Sequence, residues 1–333
     1  MSINHSSEKA NLRDIKVPED YCQLVELFNQ IEPGSTTVEV LKEEDSHIPV
    51  QSNLKLDENG LLVGYGRTRV VVETADGQIV GYGACFRAPW TDPGTVGSTF
   101  CVHPDFRSQG IGEMILAYIE EWAKKQQASV MTSMVMDWID GSLAFVEKRG
   151  FNLDAHVFEL ELNLAQFDAV KYEQVIDDKI KFTTLAEIHN DEAVKKLYDL
   201  FVETSKDNPG QYGSVEPFVE WKKEFLPENL YRYDWIFIAV DGDEFAGFTQ
   251  LLKTDVEGVL YTNYTGVKAK YRHKGIAKAL KLLAIKAAQA EGAQTITTDS
   301  EETNEPMQHI NRSFGFVPGQ GHYRVVKQLK ETN

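Results

Sequence analysis

Within six residues the chain sets Arg272, His273 and Lys274 beside Gly275, Ile276 and Ala277. A run rich in β-forming residues, Val259-Leu260-Tyr261-Thr262-Asn263-Tyr264, leads through Thr265-Gly266-Val267 into this stretch, and a helical run from Lys278 to Glu291 leaves it. A strand that turns into a helix through a basic, glycine-containing loop is a place to hold an anion. The first amide N–H groups of a helix have no acceptor within it, the helix dipole favours negative charge there, and a glycine lets a ligand reach the main chain. The three basic side chains add local positive potential to a chain whose net charge is −17.

The same layout occurs earlier. Cys101-Val102 ends a strand begun at Ser98, and Arg107-Ser108-Gln109-Gly110-Ile111-Gly112 follows. Arg107 and Arg272, Gly110 and Gly275, and Gly112 and Ala277 each stand 165 positions apart, as do Gly150-Phe151 and Gly315-Phe316. Two strand–loop–helix units with a distal Gly-Phe in fixed register predict a duplicated domain. The polar stretch from Leu164 to Lys179 reads as the connection, so the expected domains are 1–166 and 167–333.

Arg-x-x-Gly-x-Gly/Ala after a strand, then a helix and a distal Gly-Phe, resembles the GCN5-related N-acetyltransferase (GNAT) superfamily. It does so twice, over nearly the whole chain, in a layout similar to the tandem type represented by mycothiol synthase. The resemblance implies an α+β fold of two GNAT-like (acyl-CoA N-acyltransferase) domains, each a mixed, mainly antiparallel sheet flanked by helices. It implies acetyl-CoA as the cofactor, with its pyrophosphate on the amides around Arg272, His273, Lys274, Gly275, Ile276 and Ala277. Thr265, Gly266 and Val267, on a strand splayed at a bulge, would pair with the pantetheine arm, and Asn304 and Asn311 would face the cofactor. Cys101, Val102, Arg107, Ser108, Gln109, Gly110, Ile111 and Gly112 form the matching set in the first copy. The implied reaction is direct transfer of an acetyl group to the amine of a small molecule.

That reaction needs a base for the amine, donors for the oxyanion and a proton for the leaving thiolate. The main chain of Thr265–Val267 is the candidate for polarising the carbonyl. Many family members carry a tyrosine five residues before the phenylalanine of Gly-Phe, where this chain has Val146 and Asn311. Tyr264 and Tyr323 are the alternative proton donors, each otherwise an ordinary half-buried aromatic. Neither central strand carries a carboxylate, so Glu203, Asp207, Asp299 and Glu302 are the candidate bases, acting through water, each otherwise a surface charge. Cys101 is the residue that a covalent route would use. His103, His273 and His309 read better as phosphate neighbours or surface residues. The second copy keeps Asn304 and Asn311 where the first has Asp140-Gly141 and Val146, so the second domain is expected to be catalytic and the first degenerate. Two other functions fit the same residues. One is a CoA-binding sensor or assembly module without turnover, favoured by the missing tyrosines; the other is mycothiol-type thiol biosynthesis, which rests on tandem architecture alone.

The elements that must position these residues are those of two ordinary domains. At 333 residues the chain can bury two cores, and its 42% hydrophobic and 26% charged content is that of a globular protein. The acidic balance argues against nucleic acid as the main partner. It suits a cationic amine drawn to acidic surface, and equally plain solubility. No apolar run approaches the roughly 18–20 residues of a membrane span. The polar first residues lack a leader pattern, and Cys22, Cys85 and Cys101 lack metal spacing; a cytoplasmic protein without a metal, monomeric or homodimeric, is expected. Pro18 opens a helix with Leu24, Leu27, Phe28 and Ile31 on one face. Arg69 to Glu73 and Ile79 to Phe86 form strands joined by a turn at Ala75-Asp76-Gly77, and the second copy opens with a strand at Ile180–Thr183 and a helix capped by Asn190.

Overall fold

The fold is taken from a computed structural model, which describes residues 10–46, 52–88, 91–188, 190–209, 215–226 and 232–330. The sequence is expected to form loops at Pro89–Gly94 and Asp207–Pro217, and parts of both lie outside these residues. The chain packs into two compact units whose bounds interleave. One comprises Met1–Val135, Ala144–Asp154 and Arg324–Asn333, and the other Met136–Leu143 and Ala155–Tyr323.

The first repeat runs β1 (Asn11–Asp14), α1 (Tyr21–Ile31), α2 (Val38–Ser46), β2 (Lys55–Leu56), β3 (Leu62–Val63), β4 (Gly66–Glu73), β5 (Ile79–Arg87), β6 (Thr95–Val102), α3 (Ile111–Lys125), β7 (Val130–Met136), α4 (Ser142–Glu147) and β8 (Asn152–Asn163). The sheet of this unit orders its strands β1-β4-β5-β6-β7, antiparallel except for the β6/β7 pair. Alternation along β4 sends Val71 to α1, where it packs with Leu24, Leu27 and Ile79. Val70 and Val72, equally buried, face the other way. β1 is an addition to the sequence reading, its polar Asn-Leu-Arg-Asp giving no alternation to recognise.

The second repeat runs β9 (Ile180–Thr184), α5 (Asp191–Ser205), α6 (Phe218–Phe225), β10 (Ile236–Asp241), β11 (Glu244–Lys253), β12 (Val259–Val267), α7 (Ile276–Ala290), β13 (Thr295–Glu301), α8 (Glu305–Phe314) and β14 (Val317–Gln328). Its sheet orders β8-β13-β12-β11-β10-β9, with β12 and β13 parallel. Asn190 caps α5 as expected, its Oδ1 accepting the Ala193 amide at 2.8 Å. On one face Leu197, Leu200, Phe201 and Trp221 of α5 and α6 cover Ile236, Ile238 and Phe248. On the other, Leu282, Ile285 and Ala288 of α7 and Phe314 of α8 cover Leu251, Leu260 and Ile296. Each such side chain, removed from water, contributes about 1.5–3 kcal/mol, which is what holds the helices to the sheet.

Each sheet is finished by chain from the other repeat. β8, closing the first repeat, pairs along β13 from Asn163↔Thr295 to Val157↔Glu301. Arg324–Gln328, closing the second, lies beside β7 in the first unit. There Lys327 Nζ reaches Glu120 at 2.6 Å with both side chains largely shielded, Arg324 pairs with Asp154, and the Leu329 amide donates to the Ser129 carbonyl at 2.8 Å. Ending the chain after Tyr323 is therefore expected to loosen the first unit selectively. Hydrogen exchange should accelerate in α3 and β7 but not in β10–β12, with a melting temperature lower by about 5 °C or more. Equal acceleration in both units would show that the segment does not belong to the first.

Candidate functional site

The two basic loops have the same construction. β12 ends at Val267, a single 3₁₀ turn spans Ala269–Tyr271, and α7 begins after Gly275, whose φ is +78°. β6 ends at Val102, a turn spans Pro104–Phe106, and α3 begins after Gly110 at φ +85°. His273 and Ser108, two residues before each glycine, also take positive φ, 61° and 60°. The arginine closes each loop from beneath: Arg272 Nε donates to the Val267 carbonyl at 3.0 Å, and Arg107 Nε to the Val102 carbonyl at 3.2 Å. The first intrahelical bonds run from Ala279 N–H to the Gly275 carbonyl and from Met114 N–H to the Gly110 carbonyl, both 3.0 Å. The three amides before each, at 276–278 and 111–113, therefore lack acceptors within their helices.

The loops differ in what lies over them. Space above Gly110 is open, whereas a Cβ on Gly275 would meet Gln174 Nε2 at 2.8 Å. Gln174 donates to the Gly275 carbonyl at 2.7 Å, and Arg272 Nη2 pairs with Asp207 at 2.7 Å.

Behind the loops the parallel strands separate, at different points. β6 and β7 stay paired from Thr95↔Val130 to Ser98↔Ser133, while β12 and β13 pair only from Val259↔Thr295 to Tyr261↔Thr297. The cause is a bulge. Gln250 of β11 faces Tyr264 and Leu251 faces Thr262, so Asn263 is an extra residue in β12. Buried Gln250 holds it, accepting from Asn263 Nδ2 at 2.8 Å and donating to the Phe225 carbonyl at 2.7 Å. The β5–β6 ladder runs from Gly81↔Val102 to Phe86↔Gly97 without any shift.

The bulge leaves hydrogen-bonding capacity unused in the second unit. The hydroxyl of buried Thr262 has no partner, although its pairing counterpart in the first unit, Ser98, donates to the Thr132 carbonyl at 2.9 Å. Asn311, wholly buried on α8, has neither amide atom bonded, where the first unit has buried Val146. Lys281 of α7 is 1% exposed, its ammonium 5.4 Å from the Phe316 ring and its pKa pushed down to about 7 by burial; the first unit has Leu116 there. A buried polar group without a partner costs roughly 1–3 kcal/mol; the second unit carries that cost at Thr262, Asn311 and the Trp221 ring nitrogen, and the first at the Nε of Arg149. In the first unit Phe100 and Phe145 approach to 6.1 Å, and Arg149 lies 3.7 Å over the Phe145 ring.

Each of the residues singled out as catalytic has partners of its own. Tyr264 is stacked on Phe248 at 5.1 Å, with its hydroxyl 2.9 Å from Thr204 Oγ1. Thr204 spends its own proton on the Leu200 carbonyl at 2.8 Å, so Tyr264 is the donor of that pair, and burial pushes its phenol up to about 12. Glu203 lies 3.4 Å from Lys268. Asp299 reaches solvent at one edge and accepts from Tyr261 at 3.1 Å; the protein packed round its carboxyl raises the pKa, opposed by that bond and by His322. Glu159, its cross-strand partner, is raised by burial and by the charges of Asp299 and Glu161. Tyr323 stacks 4.5 Å from His156, which is 2.9 Å from Asp137. Asn304 caps α8, its Oδ1 accepting the Met307 amide at 3.3 Å. The Cys101 thiol is pushed up to about 12 by burial. Tyr261, Glu159 and His156 were not singled out from the sequence, because strand pairing brings them to Asp299 and Tyr323 across long separations.

With this geometry in hand, the comparisons are specific. The sequence matches the Acetyltransferase (GNAT) family over residues 25–151 and again over 194–316, and the chain belongs to that family. A GCN5-related N-acetyltransferase from Sphaerobacter thermophilus superposes with a TM-score of 0.72 at 17% identity, covering 97% of both chains. A tandem GNAT protein from the clavulanic acid biosynthesis pathway gives the same TM-score and identity over 98% of this chain and 100% of that one. A GCN5-related glucosamine N-acetyltransferase region within a fungal multi-domain β-N-acetylglucosaminidase gives 0.67 at 15% identity, over 97% of this chain and 38% of that one. At these identities the likeness is one of fold. Among curated proteins none matches the chain in sequence. Among the described residues, no helix is long and apolar enough to cross a membrane, and no group of three His, Cys, Asp or Glu could hold a metal ion. The fold and family are those of acyl transfer.

Lys281 yields a prediction about the protein without any ligand. Its folded pKa of about 7 lies below the roughly 10.4 of an unfolded lysine, so between those values the unfolded chain binds more protons and stability rises with pH. Lys281→Met should melt higher than the parent at pH 7, with the gap narrowing as pH rises to about 10. A gap independent of pH would mean that Lys281 folds charged.

Proposed function

We propose that the protein is an acetyl-CoA-dependent N-acetyltransferase for a small, cationic amine, with the second unit as its catalytic half. What carries this reading is the contrast between two similarly built loops. Only the one at Gly275 lies beside a bulged strand and beside the unbonded Asn311 amide and Thr262 hydroxyl. These groups fit a pantetheine arm, which is a chain of amides needing donors and acceptors in an otherwise buried place. The amides of Ile276, Ala277 and Lys278 would hold the pyrophosphate, with Arg272, His273 and Lys274 adding charge. The family resemblance supports the same set in the first unit, Cys101 to Gly112, for its cradle only.

The bound acyl-CoA supplies an activated carbonyl; the chain's own groups do the rest. Backbone N–H groups beside the bulge, at Thr265–Val267, polarise that carbonyl. Asp299, held by Tyr261 and with Glu159 opposite, attracts the cationic amine and takes its proton through water. Tyr264, protonated at neutral pH, supplies the proton to the leaving thiolate once its hydroxyl turns from Thr204. Glu203, Tyr323 and Asn304 have no separate step here. A non-catalytic CoA-binding module is the second reading, and one observation favours it: the Tyr264 proton is engaged by Thr204.

Gly275→Val and Gly110→Val test the assignment: both glycines take positive φ, so each substitution costs about 1–3 kcal/mol of strain, and the one at 275 must in addition displace the Gln174 side chain. The folded Gly275 variant is expected to lose CoA binding and thiol release with an amine panel, and the folded Gly110 variant to keep turnover. An inactive Gly110 variant beside an active Gly275 variant would make the first unit the enzyme. CoA binding by the parent without thiol release across the panel would establish the non-catalytic module.

Asp299 is tested by pH. A base with a raised pKa must lose its proton, so activity should fall on acidification at a pH above the ordinary carboxylate range. Asp299→Asn should lower kcat/KM about 100-fold or more and remove that limb. An unchanged profile would move the base elsewhere.

A further inference from the structure

Among the described residues Lys281 is the only lysine that is buried, and no step assigned above uses it. Its nitrogen lies 5.4 Å from the Phe316 ring, and no carboxylate or hydrogen bond offsets the burial that lowers its pKa to about 7. At neutral pH about half of the molecules therefore carry a free amine there, whereas an exposed lysine almost always holds its proton. Leu116 stands at the matching position of the first repeat, so the buried amine belongs to the second alone.

The fold carries this amine toward the unsatisfied polar groups. α7 connects the parallel strands β12 and β13, so it runs back along β12 from the cradle. Lys281 stands six residues after Gly275, ~9 Å along the helix axis. The bulged Asn263 stands four residues before Val267, ~13 Å along the strand. Alternation puts Thr262 on the face of Leu260, which packs against Leu282 and Ile285 of α7. Phe316, whose ring meets the Lys281 nitrogen, donates its own N–H to the Asn311 carbonyl at 3.2 Å. The amine and the unbonded Asn311 amide thus adjoin one residue.

We propose that Lys281 is a self-acetylation site, its amine taking the acetyl group of an acetyl-CoA bound in the same unit. The proposal rests on the reading of the second unit as the acyl-CoA site. The lone pair of the neutral amine attacks the thioester carbonyl carbon. A C–N bond forms, the C–S bond breaks, and CoA leaves as the thiolate. The proton shed by the nitrogen ends on that sulfur, so the products are CoA thiol and an Nε-acetylated Lys281. Acetylation removes a charge from a buried place and leaves one amide there. Its N–H and C=O are the complement of the unbonded oxygen and nitrogen of Asn311.

The test incubates the full chain with acetyl-CoA at neutral pH and follows intact mass, with peptide mapping to locate each acetyl group. Lys281 should be modified about tenfold or more faster than any exposed lysine. The rate should not depend on protein concentration, because donor and acceptor share one unit, and excess CoA should slow it. Unfolding in urea should abolish the preference for Lys281. Lys281→Met, with folding checked by melting, should lose the fast phase and keep the slow acetylation of exposed lysines. Calorimetric binding of acetyl-CoA with Lys281 unmodified, or modified no faster than exposed lysines, would overturn the proposal and leave the acyl-CoA reading intact. A rate that rises with protein concentration would place donor and acceptor on different molecules and overturn it equally. A parent that binds no acetyl-CoA would overturn both.

Discussion

An α-helix cannot bond its own first amides, and both repeats are arranged around that deficit. In each, a strand end is turned into a helix start by one arginine bonded to the last strand carbonyl and by two positive-φ residues. The intervening residues differ freely: Pro104-Asp105-Phe106 in one loop, Ala269-Lys270-Tyr271 in the other. The backbone path is conserved within the molecule because the path, rather than its side chains, aims the amides.

The repeats part company one layer beneath the loops. Inserting Asn263 into β12 breaks a ladder that stays continuous in β5–β6, and it ends the parallel pairing one step sooner. Around that gap the second unit keeps polar groups that its own fold does not satisfy, where the first has Ser98 bonded, Leu116 and Val146. A hydrophobic side chain at Asn311 would make a better core. On the reading of the second unit as the acyl-CoA site, retaining the amide there trades stability for the capacity to hold something polar.

Much of this was legible in the residues. The duplication, the loops and the helix caps follow from local signals: glycine for positive φ, asparagine for a cap, and apolar spacing for the helix faces. What escaped was set by pairing. A bulge was expected from the resemblance, but its place was not: Asn263 has no glycine or proline to announce it, and the bulge exists only in the register between β11 and β12. β14 begins at Val317, although Pro318, Gly319 and Gly321 give its first half the composition of a loop; the Gly321 amide is taken by Asp137, far away in sequence. The acids round Asp299 were half visible. Asp299 itself is a strand residue with an obvious charge, but Glu159 becomes its neighbour only through β8.

The interleaved ends have a consequence for how the chain is made. Synthesis proceeds from the N-terminus, yet the first unit includes Arg324–Asn333, which appear only after the second repeat has been made. The first repeat therefore leaves the ribosome without the strand that lies beside β7, while its own last strand, β8, waits for β13. Neither sheet is complete until much of the second repeat has emerged, which raises the sequence separation of the contacts that finish each sheet. A duplicated protein that looks divisible into independent modules is, for a nascent chain, a single folding problem.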